Sequence, residues 1–309
     1  MTAAGPLLWI GFAAVISIML VVDLGVFHRR AHVVGMREAL GWTFVWIAVS
    51  LLFNAGVYFW LGRTSALEFI TGYLIEKALS VDNLFVIAVI FSYFAVPADL
   101  QHRVLFWGII GAIITRAIFV FAGAALLHAF HSLIYLFGAF LVFTGVRLLI
   151  QREQEVRPER NPALRLLQRI VPAVSDYRGS RFTVVEGGKR YATPLLLVLV
   201  TIEATDVVFA VDSIPAVFAV TDDPFIVLTS NIFAVLGLRA LYFVLAGVLD
   251  KFRYLKIGLA LVLAFVGTKM VLSKIYPIPI GISLGVVLLL LVGSILLSLL
   301  PQRRETRSD

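Results

Sequence analysis

The feature that most constrains this chain is a succession of long apolar runs. About twenty apolar residues in a helix cross the hydrocarbon core of a bilayer. Within lipid every backbone N–H and C=O needs a partner inside the protein, so spans are helices or closed barrels. These runs are continuous rather than alternating, which selects helices. Nine are read, at about 6–27, 39–61, 67–95, 104–128, 131–150, 193–220, 225–249, 254–274 and 279–300. The expected fold is therefore an all-α polytopic membrane protein with nine transmembrane helices. Its 309 residues are 61% hydrophobic and only 15% charged, too few charges to cover a water-soluble body of this length. The first run has no positive residue before it and no small-residue cleavage pattern after it, so it is expected to remain as a helix.

The basic residues set an orientation. With nine spans, nineteen Lys and Arg fall on one side: Arg29, Arg30, Arg37, Arg103, nine between 152 and 190, Lys251, Arg253, Lys256, Arg303, Arg304 and Arg307. The other side receives Arg63 and Lys274. The positive-inside rule then puts the N-terminus in the periplasm and the C-terminus in the cytoplasm of a bacterial inner membrane. The net charge of +7 is read as this asymmetry, with the lipid bilayer as partner and no nucleic acid. The long cytoplasmic loop 151–192 opens with the polar "QREQEVRPERNP" and closes with "RFTVVEGGKRYATP". Gly187-Gly188 between β-prone residues predicts a hairpin there, on a basic tether facing anionic lipid. Asp23, near the cytoplasmic end of the first span, is within reach of Arg29 or Arg30.

Two acidic segments stand inside apolar runs, where a carboxylate costs roughly 2.5–3.5 kcal/mol on insertion scales. "EKALSVDN" holds Glu76 and Asp82; "DVVFAVDS" repeats the spacing with Asp206 and Asp212. Further landmarks follow in order: "TRAIF" (115–119) matches "LRALY" (238–242), and "GVR" (145–147) matches "GTK" (267–269). The offsets agree: Asp82 to Asp212 is 130 residues, Arg116 to Arg239 is 123 and Arg147 to Lys269 is 122. Spans three to five and six to eight read as two copies of one unit. Three is odd, so the second copy is inverted, the arrangement of secondary transporters whose site lies at the repeat interface. The expected organisation is two N-terminal helices (1–66), a first three-helix repeat (67–150), the loop (151–192), a second repeat (193–275), and a C-terminal helix with a basic tail (276–309).

The candidate site is oxygen-rich: Glu76, Asp82, Asn83, Glu203, Asp206, Asp212 and Ser213. Such ligands suit hard divalent cations, Mn²⁺, Mg²⁺ or Ca²⁺, and the residues alone do not separate the three. With no cysteine in the chain, thiolate ligation, disulfides and thiol catalysis are excluded. Glu76 and Asp82 are six residues apart, about 120° around a regular helix, so they face one point only if the helix breaks. Pro215 predicts such a break in the second copy, freeing the carbonyl of Val211. Lys77, Arg116, Arg239 and Lys269 also lie in apolar spans and are assigned to ion pairing or coupling. Pairing alone is the competing explanation of the acids.

The stretches "GYLIEKALSVDNLFV", "PLLWIGFAAV" and the long run from Ala192 to Phe243 that opens "ATPLLLVLVTIEATDVVFAVDS" resemble the TerC family, nearest its Alx-like branch, over almost the whole chain. The resemblance implies Mn²⁺ export, with the family's acidic positions falling on Glu76, Asp82, Glu203, Asp206 and Asp212. The expected function is thus a divalent cation exporter, with Mn²⁺ as transported substrate, protons as a suspected counter-ion, and no enzymatic activity or organic cofactor. The Gly-x-Gly-Asp stretch of intramembrane hydrolases is absent. The alternative is a membrane scaffold of a stress-response complex whose acids are structural.

Overall fold

The computed structural model describes residues 5–27, 35–130, 132–150, 162–245 and 254–299. The pairing expected of Asp23 with Arg29 or Arg30, and the basic residues at 152–160, 251–253 and 303–307, lie outside the described residues and side chains.

The chain is helical at every apolar run. The helices are α1 (Pro6–Phe27), α2 (Met36–Leu61), α3 (Arg63–Tyr93), α4 (Ala98–Ala129), α5 (Leu133–Ile150), α6 (Pro162–Ile170), α7 (Pro194–Phe218), α8 (Pro224–Leu236), α9 (Leu238–Leu245), α10 (Leu255–Leu272) and α11 (Ile280–Leu299). Six of them, α2, α4, α5, α7, α10 and α11, are long and apolar enough to cross a membrane; α8 and α9 together make a seventh if the bent pair counts as one span. The apolar part of α1 is shorter, and α3 is interrupted by Glu76, Lys77 and Asp82. The architecture is thus that of an all-α polytopic membrane protein with one small hairpin.

At its centre lies α8. Every residue from Phe225 to Leu236 is buried, which requires protein on all sides of the helix. Phe53 of α2, Phe12 of α1 and Phe69 of α3 close around Phe225 and Phe233; the Phe53 and Phe233 ring centroids are 4.6 Å apart. Around this hub, α3 packs on α8 and α7, while α4 packs on α7 and α8.

A second core forms where α5 runs along α10. Glycine makes this approach close. A Cβ on Gly145 would stand 2.7 Å from the carbonyl oxygen of Ala260 and 2.9 Å from the amide nitrogen of Ala264. One on Gly267 would stand 2.6 Å from the carbonyl oxygen of Gly138 and 2.8 Å from the amide nitrogen of Val142. Small residues let helix backbones pack by direct van der Waals contact, the main attraction available between helices in lipid.

The structure moves the expected helix break. α7 continues through Pro215 to Phe218. The proline sits in the last turn, where it removes one hydrogen bond and the helix is about to end anyway. α3 is also continuous. The break falls in the seventh run, at Gly237, where α8 and α9 meet at 42°.

The end of the long loop folds as expected. β1 (Thr183–Glu186) pairs antiparallel with β2 (Lys189–Ala192), and Gly187 (φ 56°) and Gly188 (φ 77°) supply the two positive-φ turn residues of a tight hairpin. The hairpin region is docked rather than tethered. The Tyr177 hydroxyl donates to the carbonyl oxygen of Phe94 at 2.8 Å, after the end of α3. The Phe182 ring meets Trp107 edge-on, and the Arg103 guanidinium lies 5.4 Å from its centroid.

Overpacking of the α5–α10 seam gives a first prediction. Gly145→Leu and Gly267→Leu each destabilise the protein by about 1–3 kcal/mol or more, read as a lowered unfolding temperature in detergent. Gly285→Leu, on an exposed face of α11 where a Cβ would meet nothing within 4 Å, leaves that temperature unchanged.

Candidate cation site between the acidic helices

Because α3 and α7 are regular through their acidic segments, the 100° step per residue decides where each acid points. Glu76 faces inward and is fully buried. Asp82, 120° away, is turned instead toward the charge of Lys256 at the start of α10. On α7, Glu203 and Asp206 are one turn apart on one side. Asp212 points elsewhere: the Thr144 hydroxyl of α5 donates to it over a long 3.5 Å, and Arg147 supplies the nearby positive charge.

Arg116 of α4 organises the inner group. It is fully buried, and its guanidinium spans α3 and α7. Its Nη1 donates to Glu76 Oε1, in a very close ion pair, and to Asn231 Oδ1 of α8 at 2.7 Å. Its Nη2 donates to Asp206 Oδ1 at 3.2 Å. Asn231 closes the ring by donating from Nδ2 to Glu76 Oε2 at 3.0 Å. The Ser213 hydroxyl, two turns along α7 from Asp206, is buried on the side of the same Glu76 carboxylate but makes no hydrogen bond among the described residues. Four helices thus converge on one fork-shaped cation, the geometry for which guanidinium is suited.

Beside this network is a cavity of about 40 Å³ open to the centre of a water molecule. Its polar wall consists of Asn83, Thr205, Asp206 and Arg239; the rest is apolar. That volume holds a bare ion or a few waters. Two carboxylate oxygens at its edge have no hydrogen-bond donor among the described residues. One is Asp206 Oδ2, in the cavity wall; the other is Glu203 Oε1, which lies over Gly111 of α4, one turn from Gly108 of that wall. Gly111 leaves the room on α4 that the whole Glu203 carboxylate fills. Buried oxygens in this state are available to a cation or to water.

The intramembrane cations take separate roles. Among the described residues Lys77 has no acid partner: its ammonium donates to the carbonyl oxygen of Ala234 at 3.1 Å and lies 5.8 Å from the Tyr73 ring centroid. It thereby caps the end of α8, where unsatisfied carbonyls carry the negative end of the helix dipole. Gly237 makes this possible, since a Cβ there would stand 2.6 Å from Lys77 Nζ. Arg239, one residue into α9, is buried and lines the cavity. Lys269 lies away from the site, with Glu68 of α3 as its electrostatic partner.

The seven oxygen residues read from the sequence therefore divide. Glu76 and Asp206 are brought together around Arg116, with Ser213 buried on the Glu76 side; Asn83 lines the cavity and Glu203 lies near it; Asp82 and Asp212 face α10 and α5. Among the described residues no three acidic or histidine side chains converge closely enough to hold a metal ion in this conformation. The expected pooling of up to five carboxylates is thus not the arrangement seen, because unbroken helices keep residues six apart on different faces. Asn231 is a site residue that the sequence reading misses. Its signal is the polar triplet Thr229-Ser230-Asn231 inside the run "LTSNIF", all fully buried.

Taken together, a bundle of membrane-crossing helices around a buried acid–guanidinium network defines a polytopic integral membrane protein with a charged interior site. The chain belongs to the TerC family: the family model described as "Integral membrane protein TerC family" matches residues 61–306. It is 54% identical over 308 residues to "Uncharacterized membrane protein STKORF319" of Myxococcus xanthus, covering 100% of this chain and 97% of that protein. It is 50% identical over 306 residues to the Escherichia coli K12 protein named "Putative membrane-bound redox modulator Alx", covering 96% and 95%. The similarly named Salmonella typhi protein is 52% identical over 295 residues, covering 93% and 92%. No solved structure matches significantly.

The network predicts that Asn231→Leu, which strands one oxygen of Glu76 and one Arg116 contact, costs about 1–3 kcal/mol. Denaturant titration of the purified protein in micelles measures it. Asn231→Asp, which places a further charge beside Glu76, is expected to be worse than Asn231→Leu.

Proposed function

We propose that this protein exports a divalent metal cation, Mn²⁺, across the bacterial inner membrane, from cytoplasm to periplasm. In this reading the nine helical runs are nine spans, with the N-terminus periplasmic and the C-terminus cytoplasmic. Spans three to five and six to eight are inverted repeats that rock about a site between them.

Packing supports the repeats. Exchanging α3 with α7, α4 with α8–α9, and α5 with α10 turns the α3–α8 contact into the α7–α4 contact and leaves α3–α7, α4–α8 and α5–α10 as self-pairs. At an offset of 122, Gly138, Val142 and Gly145 correspond to Ala260, Ala264 and Gly267. The contacts Gly145–Ala260, Gly145–Ala264, Gly267–Gly138 and Gly267–Val142 then exchange in pairs.

One observation carries the function: Glu76 and Asp206, equivalent positions in the two repeats, meet at a single buried cation. That place suits a transported ion, because each repeat contributes one carboxylate and relative motion of the repeats alters both. Hard oxygen donors favour Mn²⁺, Mg²⁺ or Ca²⁺, and the resemblance to Mn²⁺ exporters selects the first. Asn83, Glu203 and Ser213 adjoin this pair, and Asp82 and Asp212 line the approaches toward α10 and α5. The redox role in the relatives' name has no cysteine to act through in this chain. Catalysis is not part of this reading.

Cells expressing the wild type are expected to hold several-fold less Mn under Mn²⁺ load than cells expressing Glu76→Gln or Asp206→Asn at equal protein level, measured by elemental analysis. Equal Mn in all three strains rejects export and favours a scaffold. In proteoliposomes, collapsing an imposed pH gradient slows Mn²⁺ flux if protons are exchanged. Flux indifferent to the gradient rejects that coupling and leaves the site standing.

A further inference from the structure

The geometry points to Arg116 as a tethered competitor for the transported ion: its guanidinium holds Glu76 and Asp206 when no metal is bound and must leave them for a divalent cation to bind. The inference rests on the exporter reading and adds how the site empties.

The argument begins with lone pairs. Of the four carboxylate oxygens on Glu76 and Asp206, Arg116 occupies one on each residue, Asn231 donates to a third, and Asp206 Oδ2 has no donor. A cation sharing both acids finds a free oxygen on Asp206 but none on Glu76, whose Oε1 is held by Arg116 and whose Oε2 is held by Asn231, so the guanidinium has to give up Oε1. It cannot join them while Arg116 stays, because a divalent ion a few ångströms from a guanidinium in a dry interior is strongly repelled. The free oxygen shows where exchange starts. Asp206 lines the cavity, and Glu203 Oε1, likewise without a donor, lies over Gly111, one turn along α4 from Gly108 of its wall. An ion entering there passes the charge of Arg239 in the same wall, engages Asp206 Oδ2 first, then draws Oδ1 from Nη2, and reaches Glu76 last.

The two contacts of the guanidinium set this order. The Asp206 contact is the long one, at 3.2 Å, and the Asp206 side chain keeps 14% exposure, whereas Glu76 is wholly enclosed. The weaker, wetter side opens first. Asn231 holds Arg116 Nη1 and Glu76 together, so the returning guanidinium finds its seat preserved. An unoccupied pair of buried carboxylates is costly, so a resident positive charge that returns as the metal departs favours release. The same contact lowers the net affinity, as transport demands: an ion held too firmly does not leave.

The test uses the full-length protein in detergent and Mn²⁺ alone as probe, with affinity from titration calorimetry and folding from size-exclusion and thermal unfolding. Arg116→Gln is expected to bind Mn²⁺ at least tenfold more tightly than the wild type, while Mn²⁺ efflux from proteoliposomes falls. Arg116→Lys, whose single ammonium cannot fork across both acids, is expected to fall between them in affinity. A folded Arg116→Gln that binds Mn²⁺ equally or less tightly overturns the inference and assigns Arg116 a purely structural role, since loss of structure does not tighten binding. If Arg116→Gln does not fold, Arg116→Lys decides: tighter than the wild type upholds the exchange, equal or weaker overturns it. A wild type that binds no Mn²⁺ removes the exporter reading itself, and the inference with it.

Discussion

A guanidinium sealed inside a membrane protein must be neutralised, and this fold is arranged around doing so. Arg116 has no exposed surface and cannot lose its proton, so carboxylates have to be brought to it. Glu76 comes from α3, Asp206 from α7 and the amide of Asn231 from α8. The network fixes the rotation of these helices, because turning any one of them strands a charge or an amide in an interior that cannot solvate it. The wholly enclosed α8 then follows: it sits inside the ring of helices and supplies the amide that links Arg116 to Glu76.

The small-residue seam between α5 and α10 does complementary work. Glycines at 138, 145 and 267 let those backbones touch, creating a second, dry core away from the charges. The protein thus has one region fixed by directional polar contacts and another fixed by shape alone. In the transport reading, the polar region is where ions exchange and the apolar seam is where two rigid units move against each other. The bend at Gly237 sits beside the first region. There the Lys77 ammonium satisfies a carbonyl near the end of α8, which allows a helix end to exist among apolar neighbours.

Much of this is legible in the residues, and the failures have physical causes. Apolar run length locates the helices of the membrane runs, because lipid leaves the backbone no alternative; the short α6 in the polar loop has no such run. Gly187-Gly188 locates the hairpin turn, because two adjacent positive-φ positions are cheap only for glycine. The recurrence of an acidic segment at Glu76 and at Asp206 marks two carboxylates that the structure brings to one cation, Arg116. Pro215 misleads, since a proline breaks a helix only where the helix must continue, and α7 is about to stop. Gly237 gives no comparable warning: a lone glycine in an apolar run signals equally a tight packing point or a break. Asn231 escapes notice because its worth lies in partners 115 and 155 residues away.

The sequence by itself determined that this chain lives in a membrane as a helical bundle, and that acids and bases sit within its spans, because hydrophobic length and the scarcity of charge are properties of local composition. Only the tertiary structure decided which charges meet. Helical phase separates residues six apart, and packing angles bring together residues more than a hundred apart. So Glu76 and Asp206 share Arg116, while Asp82 and Asp212, equally acidic and equally periodic, face other helices. Composition counts charges; only the relative rotation and docking of helices assigns each one its neighbour.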